Sequence, residues 1–374
     1  MHHARIRRGL LVTILMPLLA MASGTAASGS PPERAEFQLW QNQLVQQLSE
    51  RGTADTLTTA AVLLPISASI YDSKASNQQR NSAANKLASK RLQLLERAAA
   101  MAPDAADIAA LALQVCTAVP GCDVGKHAER LHNAAPDDAR YLLPALDEAV
   151  SQQDRDKVSA ILQSMADAST FSTWYPATRR RLHRGIDDIA VPPLPSGLPT
   201  ALKESHLDLD SATVAATMAA SAMYVVTGMS GYSSIDKACK TETPEFIARQ
   251  EACRQIGVLL SRDSSLMTAE IGLVLWRRAA SDKADRAAAT RASRELTWQS
   301  HTFGNAMLNG SIDPRESFRA MLDNDGEIRA MVALLKKHDL PTAPPPDWIS
   351  PREQRERARQ EAPAQPSSMC AGKP

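Results

Sequence analysis

The chain has 374 residues, with 42 Lys or Arg against 41 Asp or Glu, five Cys and 4% aromatic residues. A charge so near zero gives no field to gather nucleic acid or anionic lipid, so no nucleic-acid partner is expected. Strong helix formers dominate, and alternating runs of Val, Ile, Thr and Tyr are nearly absent, so an all-α fold is expected.

The first residues, MHHARIRRGLLVTILMPLLAMASGTAASG, place Arg5, Arg7 and Arg8 ahead of a mostly apolar run over 9–21. Small residues follow, with Ala20-x-Ala22 and Thr25-x-Ala27 as candidate cleavage sites. This is the pattern of a secretory signal peptide, read here as residues 1–22. Pro17 interrupts the run, which is shorter than the roughly 20 residues a membrane span needs. The expectation is an exported protein, periplasmic or extracellular, with no integral span after cleavage. Arg7-Arg8 leaves general secretion and twin-arginine export both open. Cleavage would leave 39 cationic residues against 41 acidic ones, a net −2, on about 350 residues. That length suits two domains.

A helical-repeat domain is expected over 31–185. Phe37, Trp40, Leu44 and Leu48 stand at helical spacing, and Gly52 closes that helix. Leu57, Ala61, Leu64 and Ala68 suggest a second helix bent by Pro65. A third over 83–101 turns Leu87, Leu92, Leu95 and Ala99 inward. Pro103-Asp104 and Pro136-Asp137 then lie 33 residues apart, each after a run containing Glu-Arg. Helices are expected from Asp104 through Val115, from about Gly125 through Leu131, from Pro136-Asp137 through Val150, and around Val158 to Met165. A helix pair every 33 to 34 residues, with Pro at the junction, is the spacing of tetratricopeptide-like hairpins, whose apolar faces need stacked neighbours. Ordinary hairpins with a chance Pro-Asp echo are the alternative.

Residues 186–206, with four prolines in IDDIAVPPLPSGLPTALKES, read as a linker. A second helical domain is expected over 207–340. Ser211 to Ile235 carries no charge, and 212–228 reads as a buried central helix rather than a membrane span. Thr243-Pro244-Glu245, Asp263-Ser264-Ser265, Asp282 and Asp313-Pro314 mark further helix starts, and Glu327 to Lys337 is the last strongly periodic helix. Residues 341–374 are expected as a flexible tail, with a capping-box pattern at Ser350-Pro351-Arg352-Glu353.

In an oxidising compartment the cysteines pair locally. Cys116 with Cys122, across a Pro-Gly turn, and Cys239 with Cys253 are expected as disulfides, each contributing about 2–3 kcal/mol in the chain-entropy model. Cys370 is left over.

The stretches RLHNAAPDDARYLLPALDEAVSQQDRDKVSAILQSMADASTF, CRQIGVLLSRDSSLMTAEIGLVLWRRA and GEIRAMVALLKKHDLPTAPPPDWISP carry a resemblance. A Pro-Asp junction is followed by a helix, an acidic turn, and a helix ending in Met165-Ala166 with Phe171 nearby. Later comes the Pro-Pro-x-Trp end at Pro345 to Trp348. Over most of 90–350 the chain resembles a group of exported, tetratricopeptide-like helical-repeat proteins of Gram-negative bacteria. The resemblance implies an all-α exported fold and transfers no catalytic residue.

Chemistry is sparse. His127 and His132 are five apart, which turns them about 140° around a helix rather than onto one face. The zincin spacing of four is missing, and both read as surface residues. No nucleophile elbow, phosphate loop or calcium loop is present, so no catalytic residue, metal or cofactor is assigned. Arg179-Arg180-Arg181-Leu182-His183-Arg184 is the densest basic run, read as a helix C-terminus or a grip on an acidic partner. Trp174 and Tyr175 precede it. These types dominate binding hot spots, so Trp174, Tyr175, Arg179, Arg180 and Arg181 are the candidate partner-binding residues. The expected function is a periplasmic protein- or peptide-interaction module. The alternative is an enzyme with a site assembled from scattered polar residues on facing helices.

Overall fold

The computed structural model describes residues 31–64, 76–196, 210–227, 232–241, 244–324, 326–351 and 353–354. The signal-peptide segment, the bend at Pro65 and Cys370 lie outside the described residues, as do residues 197–206 of the expected linker. Among the described residues there are fifteen α-helices, one 3-10 turn and no strand or sheet. The fold is all-α, as the composition predicts.

Helix α1 (Pro31–Arg51) ends at Gly52, whose φ of +72° is the left-handed close of a helix. Helix α2 (Ala54–Leu63) starts at Thr53 in a capping box with Thr56 and is buried along nearly its whole length. Its buried threonines do not go unpaired: Thr58 and Thr59 donate back to the Ala54 and Asp55 carbonyls. A helix apolar all round belongs at a centre, and α2 is flanked by α1, by α3 (Asn77–Met101), by α8 (Tyr175–Asp187) and by α9 (Ser211–Thr227). Helix α3 begins six residues earlier than the periodicity suggests, because Ser76 and Gln79 form a capping box. Helices α4 (Ala106–Cys116) and α5 (Val124–Ala134) pair across the Cys116–Cys122 disulfide. A 3-10 turn (Ala139–Leu142) leads into α6 (Leu143–Ser151), which packs on α7 (Arg155–Asp167).

The cores do not follow the order of the chain. One gathers Leu44, Leu57, Leu95 and Leu111 with Leu182 of α8 and Val214, Met218 and Met223 of α9. The uncharged stretch is thus a buried helix of the first core, and among the described residues no helix is long and apolar enough to cross a membrane. A second core joins α6 and α7 to α10 (Tyr232–Ala238), α11 (Phe246–Ser261) and α12 (Leu266–Ala279), around the Cys239–Cys253 disulfide. A third packs α12 with α13 (Lys283–Leu308) and α15 (Glu327–Lys337); α14 (Pro314–Asp323) lies against α15. Helices from both sides of the expected 186–206 boundary therefore share cores. In an array of repeats each unit touches only its neighbours, whereas here α8 returns to α2.

Two expected loose segments are held. Ile189, Val191 and Leu194 of the expected linker pack on the first core, and Trp40 donates to the Pro192 carbonyl at 2.9 Å. The start of the expected tail lies along α13: Trp298 donates to Pro341 O at 3.0 Å and meets Trp348 edge-on at 5.2 Å. Apolar rings and backbone bonds fix these stretches despite their prolines. The capping box at Ser350 and Glu353 is formed. Helix α11 starts at Phe246, beyond the expected Pro244, with Glu245 at the cap.

Candidate functional site

The residues nominated for partner binding sit at the start of α8, and most point inward. Trp174 caps α8 in the left-handed region, φ +57°, and packs half-buried on a small core with Leu113, Leu131 and Tyr141. Its indole Nε1 is buried without a partner among the described residues. Tyr175 and Arg179 are buried. Burial, then the negative charge of Glu327, pushes the Tyr175 hydroxyl well above its ordinary range, against the Arg179 guanidinium that hydrogen-bonds it.

Arg181 is the centre of a clamp. Its Nε and Nη2 reach Asp107 of α4 at 2.6 and 3.0 Å, and its Nη1 pairs with Asp55 of α2. Arg184 adds a second bond to Asp55 at 2.7 Å. The basic run fills the middle of α8 and reaches its last turn with Arg184, and it holds α8 to α2 and α4. Of the five nominated residues only Arg180 is exposed.

Beside this start lies a buried polar junction. Asp138 accepts from the Arg140 and Ser172 backbone at 2.8 and 2.9 Å. Asp263 accepts from the Thr173 and Ser265 backbone at 2.9 and 2.7 Å and from the Thr173 hydroxyl at 3.0 Å. Burial raises both carboxyls above their ordinary value, although these N–H bonds pull the other way. Two carboxylates do converge here, as a scattered-residue enzyme would need. Every oxygen already accepts from a backbone donor, so the pair fastens the 170–174 segment.

The open feature is elsewhere. Helices α1 and α3 both pack on α2, and between them runs a groove of about 1240 Å³. Val45, Leu64, Leu87 and Leu94 give it an apolar floor. Along α3 the rim carries Lys86, Lys90 and Arg97, all exposed and without an ion pair among the described residues, together with exposed Glu96, which faces His127. Along α1 it carries Gln46 and Glu50, bonded to each other at 2.8 Å. Sequence reasoning missed this groove, though α3 held a signal. Leu87 and Leu94 form one apolar line and Leu92, Leu95 and Ala99 another, more apolar surface than a single packing partner covers.

A second missed feature is His127. It was expected at the surface, yet only 3% of its side chain is exposed. Its position in the first turn of α5 turns it under α3, 3.7 Å from Glu96, and against the Cys116–Cys122 disulfide. His132, half-buried, meets the Tyr141 ring at a tilt, with centroids 4.4 Å apart.

No protein-family model matches the chain, and neither a curated protein nor a solved structure matches it.

Proposed function

We propose that this is an exported protein- or peptide-binding module, acting in the periplasm or outside the cell, whose α1–α3 groove takes an amphipathic, acidic segment of its partner. The groove carries the reading. An apolar floor flanked by a helix edge on which three cations outnumber Glu96 fits a helix laid with its apolar side down and its carboxylates toward Lys86, Lys90 and Arg97. Export rests on the three-part pattern of residues 1–22, and the two disulfides are at home in an oxidising compartment. The partner face moves from the start of α8 to this groove, because burial and internal pairing occupy most of the α8 candidates.

The test is selection of helical peptides from a random amphipathic library on the purified chain, followed by affinity measurement on single peptides. Acidic amphipathic sequences should emerge and bind the K86E/K90E double variant at least ten-fold more weakly than the parent. Peptides that bind parent and variant equally, or a basic consensus, would sink the proposal.

A further inference from the structure

Two consecutive helices and the turn between them bring sulfur and nitrogen donors to one point. Cys116 ends α4 and is fully buried; Cys122 closes the following turn and is partly exposed; His127 enters from the first turn of α5. One ligand atom from each lies within 4.8 Å of the others. A second, independent observation points to a ligand. His127 is nearly wholly buried, and its Nδ1 has no hydrogen-bond partner among the described residues. A buried, unsatisfied ring nitrogen is costly unless something claims it. The Glu96 carboxylate stands 3.7 Å from Nε2, the other ring nitrogen, and leaves Nδ1 as the unclaimed one.

We infer that Cys116, Cys122 and His127, with water as fourth donor, form a redox-gated site for a borderline-soft divalent cation such as Zn²⁺. The site is closed while the disulfide stands. A dithiol reductant attacks at Cys122, the more exposed sulfur. Through a mixed disulfide, two electrons and two protons pass to the protein, leaving two thiols and a cyclic disulfide on the reductant. The cation then forms two S–metal bonds, the thiols release two protons to solvent, and the imidazole contributes its lone pair. Tetrahedral zinc with Zn–S of about 2.3 Å needs sulfurs about 3.8 Å apart. The Cα atoms, 5.6 Å apart, leave room for that separation within the existing turn. Asp123, Lys126 and Arg130 stand nearest on α5 and Glu96 on α3, so the surroundings are mixed in charge. Among the described residues the other disulfide has no such neighbour; Cys239 and Cys253 are both buried in an apolar core.

The experiment uses the purified full chain, air-oxidised or reduced with a phosphine under anaerobic conditions, and titrated with Co²⁺ and then Zn²⁺. Alkylation and mass spectrometry establish which thiols are free, and circular dichroism establishes that the chain remains helical. The reduced parent should take one Co²⁺ per chain with sulfur-to-cobalt charge-transfer and tetrahedral visible bands, which Zn²⁺ bleaches. The oxidised chain should take none. Cys122→Ser should lose the bands, His127→Gln should weaken affinity at least ten-fold and shift them, and a variant lacking Cys239, Cys253 and Cys370 should keep them. Should His127→Gln unfold, the Cys122→Ser comparison still decides. Bands that survive in Cys122→Ser or vanish with the other three cysteines would overturn the site. So would their absence when Cys116 and Cys122 are shown to be free. A disulfide that yields only when the helices melt would overturn it too.

Discussion

Helices α11 and α12 touch backbone to backbone, whereas α1 and α3 stand apart across a groove. The difference is written in residue size. Gly257 and Gly272 face each other, and a methyl on Gly272 would fall within 2.6 Å of the Leu260 carbonyl carbon and 2.7 Å of the Gly257 oxygen. At the groove the facing positions are Val45, Leu87 and Lys86, so both helices rest on α2 without closing on each other. Charge follows the same division. Where helices close, as at the α8 clamp, Arg181 is met by two carboxylates; where they stay open, Lys86 and Lys90 face solvent without an ion pair among the described residues. Internally satisfied charge holds the fold, and unsatisfied charge beside an apolar floor is available to a partner.

The strongest way to break the closed side is Asp107→Ala. It strips Arg181, only 13% exposed, of its bidentate partner while Asp55 remains. Removing one member of a buried pair costs about 3–5 kcal/mol, and the retained Asp55 places the loss near the lower figure, about 3 kcal/mol in urea unfolding. Gly272→Ala comes next. The added methyl meets backbone, which has no rotamer to yield, so overpacking should cost about 2–3 kcal/mol and spread α11 from α12. Far-UV circular dichroism should show the helices retained in both variants while the unfolding midpoint drops.

Much of the closed side could be read before the fold was known, and little of the open side. Periodicity, capping and short-range cysteine pairing are local: Glu327 to Lys337, the Ser350 box and the two disulfides needed only nearby residues. Arg181 meets Asp55 across 126 positions, so the basic run looked like a surface grip when it is an internal clamp. His127 looked exposed because a five-residue spacing from His132 says nothing about α3 lying overhead. The groove needed the knowledge that α1 and α3 share α2, which no periodicity within either helix contains.

A subtler effect distinguishes the buried junction from the surface. Asp138 and Asp263 have raised folded values, chiefly through burial. Their native state therefore holds the proton more tightly than the unfolded chain. Their contribution to stability is greatest below the unfolded carboxyl value, 3.8, and is lost as pH rises through the raised folded values. Around Asp263 stand Arg140, Thr173 and Ser265, with Asp138 and Tyr232 nearby. Asp263→Asn cannot ionise, so the stability of the parent relative to this variant should rise as pH falls through that window. A difference that stays flat, or shrinks toward acid, would mean that the N–H bonds outweigh burial and that the carboxyl is ordinarily acidic.

The smallest effect on stability belongs to the groove, and there the comparison becomes a test of function. Lys86 and Lys90 are exposed on α3 and take no part in the core. Charge reversal at both should shift unfolding by no more than about 0.5 kcal/mol, the usual range for surface positions. The same change places two carboxylates along the edge where an acidic partner would lie, and like charges across an interface oppose association more strongly than they disturb the folded monomer. A variant with parental stability and a ten-fold loss of acidic-peptide affinity separates binding from folding. The loss should diminish at high salt, because exposed charges act within a Debye length of about 8 Å at physiological ionic strength. A salt-independent loss would point instead to a rearranged floor of Val45, Leu87 and Leu94, and substitution of Leu87 by Ala would then be the stronger perturbation.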